Sequence, residues 1–162
     1  MRSFVRTLVF SALASLSAVH AHALSCIRPD VAQAFQHASD AEEDYMVLLG
    51  SIFVPMVPPR SQTGDQFNPE PVTVQAFFSG QALGVDGFQP IEDLVINVTM
   101  GCAGPWCGVL RQGPSDILAF VEMTETGPSL MVDPCYTEVF QPNASDIARV
   151  QACMRGEGCE PL

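Results

Sequence analysis

Five segments of this chain have the hydrophobic patterning of β-strands. Apolar and polar residues alternate along residues 72–80 and 91–100, as they do in strands with one buried face. Residues 45–54 form an almost continuous apolar run, which is typical of a strand buried on both faces. Two shorter apolar runs, 117–123 and 129–132, flank a Thr-Gly-Pro turn. The pattern therefore predicts a mainly β domain.

Helical periodicity marks one further segment on each side of the strand region. Apolar residues recur at helical spacing in residues 29–38, and Pro29 stands near the start, where proline is tolerated. Residues 147–154 repeat that spacing, with Asn143 or Ser145 available as the N-cap. The order helix, five strands, helix predicts a five-stranded OB-type barrel with flanking helices. A two-sheet sandwich is the alternative.

The first 23 residues have the organisation of a cleavable export signal. Arg2 and Arg6 form a positive n-region, residues 8–19 form an apolar h-region, and Ala21-His22-Ala23 fits the small-x-small cleavage rule. The apolar run is shorter than the roughly 20 residues that a membrane span needs. We expect cleavage after Ala23, a single mature domain over residues 24–162, a periplasmic or extracellular location, and no membrane insertion after cleavage.

Six cysteines in a small exported chain predict disulfide bonds. Six cysteines allow 15 pairings, and the sequence alone does not choose among them. Proximity favours two short loops, and the remaining pair would join the mature N-terminus to the far end of the domain. The spacings lack the paired knuckles of structural zinc sites and the C-x-x-C of thioredoxin-type catalysts. The favoured pairs are Cys102–Cys107, Cys153–Cys159 and Cys26–Cys135.

The composition excludes several kinds of chemistry. The 162 residues have a formal net charge of −11, and without Arg2 and Arg6 the mature chain has a net charge of −13. The chain contains no Lys, which excludes lysine nucleophiles and P-loops, and His37 is the only histidine that remains after cleavage. Nucleic acids and anionic membranes require a basic surface that this acidic protein lacks.

Candidate catalytic and metal-binding patterns are likewise missing from the sequence. No Gly-x-Ser-x-Gly elbow accompanies His37, and a single histidine cannot supply a two-His zinc site. The acidic run 40–44 lacks the spacing of a calcium loop and is interpreted as a solvated linker. We therefore predict no catalytic residue, no metal site and no cofactor.

Short motifs in a fixed order give the chain a resemblance to one known family. A cysteine precedes the first helix, glycines end or follow strand motifs, and the last helix is followed by a Gly-Cys pair. In this order the chain resembles the netrin-like OB domain of the tissue inhibitors of metalloproteinases. The motifs are Cys26, Ala34-Phe35, Leu49-Gly50 at the end of the first strand, Phe78-Ser79-Gly80, Cys107-Gly108, Gly113, Leu118-Ala119-Phe120, Cys135 and Gly158-Cys159-Glu160.

The resemblance implies a mode of action as well as a fold. Inhibitors of that family begin at a cysteine whose free α-amino group and carbonyl chelate the protease zinc, and a Cys-x-Cys pair holds this terminus against the barrel. In this sequence Leu24 replaces the first cysteine and Cys26 matches the second. The candidate binding edge is therefore Leu24, Ser25, Cys26 and Ile27, together with the turn at Pro105 and Trp106. Alternatively, Cys26 only anchors the N-terminal segment.

Three functional hypotheses follow. The first is an exported, non-catalytic protein-binding module that resembles these domains, with inhibition of a zinc metalloprotease as the activity that the resemblance implies. The second is a periplasmic small-ligand or envelope-associated binding domain, which would use the barrel face and the proline-rich loop 55–71. The third, an enzyme of unknown type, requires a carboxylate and a hydroxyl that converge on His37.

Overall fold

The strands form a closed OB-type barrel, as the patterning predicts. A computed structural model describes residues 25–26, 28–59 and 69–162. The predicted signal, Leu24, Ile27 and the centre of the proline-rich loop lie outside the described residues. The elements are α1 Val31–Asp40, β1 Tyr45–Val54, β2 Val72–Gly84, β3 Gly87–Pro90, β4 Leu94–Met100, β5 Cys102–Ala103, β6 Trp106–Cys107, β7 Gly113–Thr124, β8 Gly127–Val132, β9 Val139–Phe140 and α2 Ala144–Met154.

Five of these strands close the barrel in the order β1-β2-β4-β8-β7 and back to β1. All neighbours are antiparallel except β4 and β8, which pair in parallel from Asn97–Ser129 to Met100–Val132. The circuit closes where β1 pairs with β7 along its whole length, from Tyr45–Glu122 to Val54–Gly113. Since each end strand finds a partner, every strand of the circuit has neighbours on both sides.

Four short strands, β3, β5, β6 and β9, were not predicted from the sequence. β5 and β6 are the two-residue arms of the Cys102–Cys107 turn. β3 is the four-residue return of the β2 hairpin, and β9 consists of only two residues that pair with β7. Such short segments have no alternation to detect. β2 and β7 are also longer than predicted, and Gly50 lies in the middle of β1 and not at its end.

Gly50 and Gly80 leave room for a buried aromatic ring against the β1–β2 ladder. They are directly opposite each other in the β1–β2 ladder. The ring of Phe78, which is buried, lies over both glycines, about 2.9 Å and 2.8 Å from where their Cβ atoms would stand. A side chain at either position would also meet the facing strand's backbone, so this close approach requires glycine.

The core has two parts, which share strand β7. Ile117, Ala119 and Val121 point into the barrel, whereas Leu118 and Phe120 pack against the helices. The continuous apolar sequence of this strand therefore reflects burial on both faces. The helix-side cluster consists of Val31, Ala34, Val47, Leu118, Phe120, Phe140 and Val150.

Asp30 joins both helices and the C-terminal residues. Its carboxylate accepts hydrogen bonds from the backbone N–H groups of Ala32 and Gln33, which makes it the N-cap of α1. It also pairs with the guanidinium of Arg149 on α2 at 3.1 Å and accepts from the backbone N–H of Leu162. The Asp30 side chain thus accepts hydrogen bonds from otherwise unpaired N–H groups at the start of α1, and it connects α1, α2 and the C-terminal residues.

Three disulfides complete the fold: Cys26–Cys135, Cys102–Cys107 and Cys153–Cys159. These are the pairs that proximity favoured, so that prediction is confirmed. Within the described part of the chain no cysteine is free. Three disulfides in a domain of this size are typical of an oxidising compartment outside the cytosol.

Asp30→Ala is expected to lower the free energy of unfolding by about 2–4 kcal/mol, because it removes the N-cap and leaves Arg149 without its partner. Asp30→Asn keeps a capping oxygen and should lose less. Burial alone would raise the pKa of Asp30, but the hydrogen bonds from Leu162, Arg149, Gln33 and Ala32 outweigh it and lower the pKa below 3.8. The stabilisation should therefore persist above pH 3.8 and be lost as the pH falls through the lowered pKa.

Urea denaturation of both variants would measure this effect. The exposed Glu125→Ala, in the turn after β7, is the control and should change stability little. Equal stabilities for Asp30→Ala and the control would contradict the role of Asp30.

Candidate functional site

The turn at residues 133–137 organises the predicted binding edge. Tyr136 N–H donates to the Asp133 carbonyl at 3.1 Å, which closes a β-turn with Pro134 in its second position. The Asp133 carboxylate accepts from the N–H groups of Cys135 and Thr137 and from the Thr137 hydroxyl. An Asp-Pro start favours this kind of turn, and its internal hydrogen bonds hold Cys135 in place.

Cys26 is fastened to that turn by its disulfide with Cys135. Ser25 and Cys26 are exposed, and they continue into Pro29 and the start of α1. Leu24 and Ile27, the other two residues of the predicted N-terminal edge, lie outside the described residues. The described part of the edge is therefore a covalently anchored surface segment, and the position of the chain terminus is not assigned.

The β5–β6 hairpin, which contains Pro105 and Trp106, is attached to the segment 132–136. β5 and β6 pair at Cys102–Cys107 and Ala103–Trp106, and the tight turn between them has Gly104 at φ 58°. Glycine adopts a positive φ without strain, and it is favoured in two-residue hairpins. The disulfide of the two cysteines closes the hairpin, so Trp106 projects from a rigid support with 45% of its surface exposed.

Tyr136 clamps the base of this hairpin. Its hydroxyl donates to the Val109 carbonyl at 3.2 Å and lies 3.3 Å from the Val109 N–H, which donates to it. Tyr136 also has φ 55°, which is uncommon for a residue with a side chain and costs roughly 1–2 kcal/mol. Gly101 N–H donates to the Val132 carbonyl on the other side of the hairpin. The two halves of the edge are thus both attached to the segment 132–136.

A second feature, which the sequence did not predict, is a cavity beside Cys26. It has a volume of about 380 Å³ and lies between the N-terminal segment, α1, the start of β1 and the segment 135–138. We call it the N-terminal groove. Five of its lining residues are Cys26, His37, Tyr45, Phe120 and Glu138.

Glu138 places a carboxylate in the wall of this groove. Its backbone carbonyl accepts from the Phe120 N–H at 2.9 Å, just before β9 pairs with β7. Burial raises the pKa of Glu138, and the charges of Asp133 and Glu122 add to that effect. The backbone N–H of Met131 and the charge of His37 oppose it. The native state therefore disfavours ionisation of this group.

Tyr45 has a similarly perturbed environment. Burial is the largest cause that raises the pKa of its hydroxyl, followed by the charges of Glu138, Glu122 and Glu43. Three carboxylates thus influence one end of the groove. Perturbed ionisable groups that line a cavity are typical of functional sites.

His37 lies on the exposed face of α1 and lines the groove. Thr137 and Glu138 line the same groove, but among the described residues the imidazole forms no hydrogen bond. The charge of His37 does reach Glu138. A hydrogen-bonded Ser–His–Asp arrangement is therefore not formed around this ring in the part of the chain that the structure describes.

The described residues contain neither a metal-binding cluster nor a membrane-spanning helix. No group of three or more His, Cys, Asp or Glu side chains is close enough to hold a metal ion within the described ranges. None of the helices described is long and apolar enough for a bilayer span.

Comparison with known proteins adds no assignment: neither a family model, nor a curated protein, nor a solved structure matches this chain. The likeness to the tissue inhibitors of metalloproteinases accordingly stays a prediction from the sequence.

Glu138→Gln is expected to stabilise the protein at neutral pH, because an amide has no ionised form to bury. Since the pKa of Glu138 is raised above 4.5, the native state binds more protons than the unfolded state between pH 4.5 and the raised pKa. The unfolding free energy of the natural protein should therefore fall as the pH rises through that window.

The gap between Glu138→Gln and the natural protein should be largest at pH 7 and disappear below about pH 4.5. Urea midpoints measured from pH 4 to pH 8 would test this, with exposed Glu125→Gln as a control whose gap stays flat. A variant that is less stable than the natural protein at pH 7 would show that the carboxylate stabilises the fold.

Proposed function

We propose that this protein is an exported, non-catalytic protein-binding module. Its binding edge consists of Leu24, Ser25, Cys26 and Ile27 together with Pro105 and Trp106, and of these Leu24 and Ile27 lie outside the described residues. The observation that supports this assignment best is an exposed tryptophan on a disulfide-closed hairpin, attached to the same segment as the N-terminal anchor. Tryptophan is among the residues that contribute most to protein–protein binding energy.

Rigidity is the second argument for this edge. Side chains and loops that must be ordered on binding reduce affinity, and a hairpin held by a disulfide and by Tyr136 has little ordering left to undergo. Further exposed apolar side chains surround the hairpin base: Val109, Met131 and Tyr136. Apolar and aromatic side chains grouped in this way have the composition of the centre of an interface.

The nature of the partner follows from charge and from the resemblance. A mature net charge of −13 favours a partner with a neutral or cationic contact surface and speeds its association. We further propose that this partner is a zinc metalloendopeptidase of the compartment to which the protein is exported. The chain terminus after signal cleavage would stand two residues before Cys26, where its α-amino group could bind the protease zinc.

Trp106→Ala is expected to weaken partner binding about 30-fold, which corresponds to ~2 kcal/mol for the loss of a central aromatic contact. Surface plasmon resonance against secreted zinc metalloendopeptidases would measure the dissociation constant. Because Trp106 is exposed, the unfolding midpoint should change little.

Two other exposed apolar residues provide matched variants for that experiment. Val85 lies in the distant β2–β3 turn, so Val85→Ala should leave binding unchanged. Phe77 belongs to a different exposed surface, next to Phe53 on β1 and Val95 on β4. If Phe77→Ala abolished binding and Trp106→Ala did not, the barrel face would be the interface and the assignment of the edge would be wrong.

Adding one residue before Leu24 is expected to abolish protease inhibition, because the α-amino group would move away from the chelating position. The matched control adds one residue after Leu162 and should leave the inhibition constant unchanged. Inhibition that survives the N-terminal extension would exclude chelation by the terminus, and binding without any inhibition would leave a module that binds the protease outside its active site.

A further inference from the structure

We propose that the N-terminal groove is a binding site for an organic ammonium ion, that is, a small cationic amine with an apolar stem, and that Glu138 is its counter-charge. This inference goes beyond the protein-binding function. The groove shares Ser25 and Cys26 with the binding edge, so the two sites are neighbours, but neither proposal requires the other.

The shape of the groove suits a small molecule with an apolar part. Its volume of about 380 Å³ lies in the range of small-molecule pockets, and it is bounded on several sides by different elements. Pro29, just before α1, and Ala34 and Ala38 on α1 line one side, and Phe120 closes the inner wall. These side chains offer no hydrogen bonds, so they favour an aliphatic stem over a polar one.

The charges around the groove favour a cation. Glu138 lies in the wall, and Glu43, Glu122 and Asp133 are close enough to shift the pKa of Glu138 or of Tyr45. The guanidinium of Arg149 does not balance these charges, because it pairs with Asp30 at 3.1 Å. The field in the groove is therefore negative, and an anionic ligand would be repelled.

Two basic side chains, Arg28 and His37, also line the groove and could weaken its attraction for a cation. Arg28 is exposed, and water weakens its effect on a ligand inside. His37 is exposed at the last turn of α1, so water weakens its effect on a ligand inside as well. Four carboxylates oppose these two basic groups, and of the four only Glu138 lines the groove. They belong to Glu43, Glu122, Asp133 and Glu138.

An aromatic ring next to Glu138 adds a second contact for a cation. The Tyr45 side chain lines the groove and senses the charge of Glu138. Ammonium groups are attracted to the faces of aromatic rings, more strongly where water is excluded. A carboxylate and an aromatic ring side by side, with apolar walls beyond them, form a site for an ammonium head and an aliphatic tail.

The hydrogen bond from the Met131 N–H does not offset the cost of burying the Glu138 carboxylate, because the pKa of this group stays raised. Keeping an ionisable carboxyl in a half-buried position opposes folding at neutral pH, and an amide or an apolar residue would avoid that penalty. Residues that reduce stability in this way are often retained for binding or catalysis. An amine ligand would place a positive charge next to the carboxylate and reduce this penalty.

Three probes with one stem length test the proposal: n-hexylamine, n-hexanol and n-hexanoate. Binding to the full mature protein would be measured by calorimetry and by chemical-shift changes at Tyr45 and His37. We expect hexylamine to bind at least tenfold more tightly than hexanol, and hexanoate to show no binding. Equal binding of hexylamine and hexanol would overturn the role of charge, and no binding of any probe would overturn the site itself.

A substitution at Glu138 tests whether the ammonium group binds next to this carboxylate. Glu138→Gln keeps the shape and a hydrogen-bond acceptor, and it should weaken hexylamine binding at least tenfold, whereas Glu125→Gln should not change it. Unchanged binding to Glu138→Gln would contradict the proposal. If Glu138→Gln does not fold, the comparison of the three probes on the natural protein still decides.

Trp106→Ala separates this site from the protein-binding edge. It should leave hexylamine binding unchanged while it weakens partner binding. Failure of the amine experiment therefore leaves the proposed protein-binding function untouched. Failure of the partner-binding experiment likewise leaves the proposed amine site untouched.

Discussion

The Cys26–Cys135 disulfide is the link on which the functional surface depends. It joins positions 109 residues apart in the sequence and therefore closes a loop that contains most of the chain. In the chain-entropy model such a closure contributes about 4–5 kcal/mol to stability. More specifically, it fixes the N-terminal segment to the turn at 133–137, and this contact creates one wall of the N-terminal groove and one half of the binding edge.

The barrel itself could be predicted because its strands are long enough to show a pattern. The run at residues 45–54 was predicted with both ends correct, and the structure shows its first half covered by helices on the outside. The two-residue strand β9 could not be predicted, since it exists only because β7 offers Leu118 and Ala119 as partners. Tertiary pairing, and not local propensity, forms this strand.

The N-terminal groove could not be predicted from the sequence either, because tertiary contacts form it. Cys26, His37, Tyr45 and Glu138 are far apart in the chain, and only barrel closure and the long disulfide bring them together. The one local sign is an acidic residue, Glu138, directly before the apolar pair Val139-Phe140, and isolated acids are common. The hairpin with Trp106 was easier to find, because its two cysteines are close in sequence.

Closure of the barrel also limits how other chains can approach. An open sheet presents unpaired N–H and C=O groups that can recruit an additional strand from another molecule, which is a route to fibrils and to strand-addition complexes. Each of the five strands of this circuit has a neighbour on both sides, so the paired parts of these strands offer no such template. Recognition along the paired parts of the barrel wall must therefore rely on side chains, and these parts are protected from cross-β assembly with other molecules.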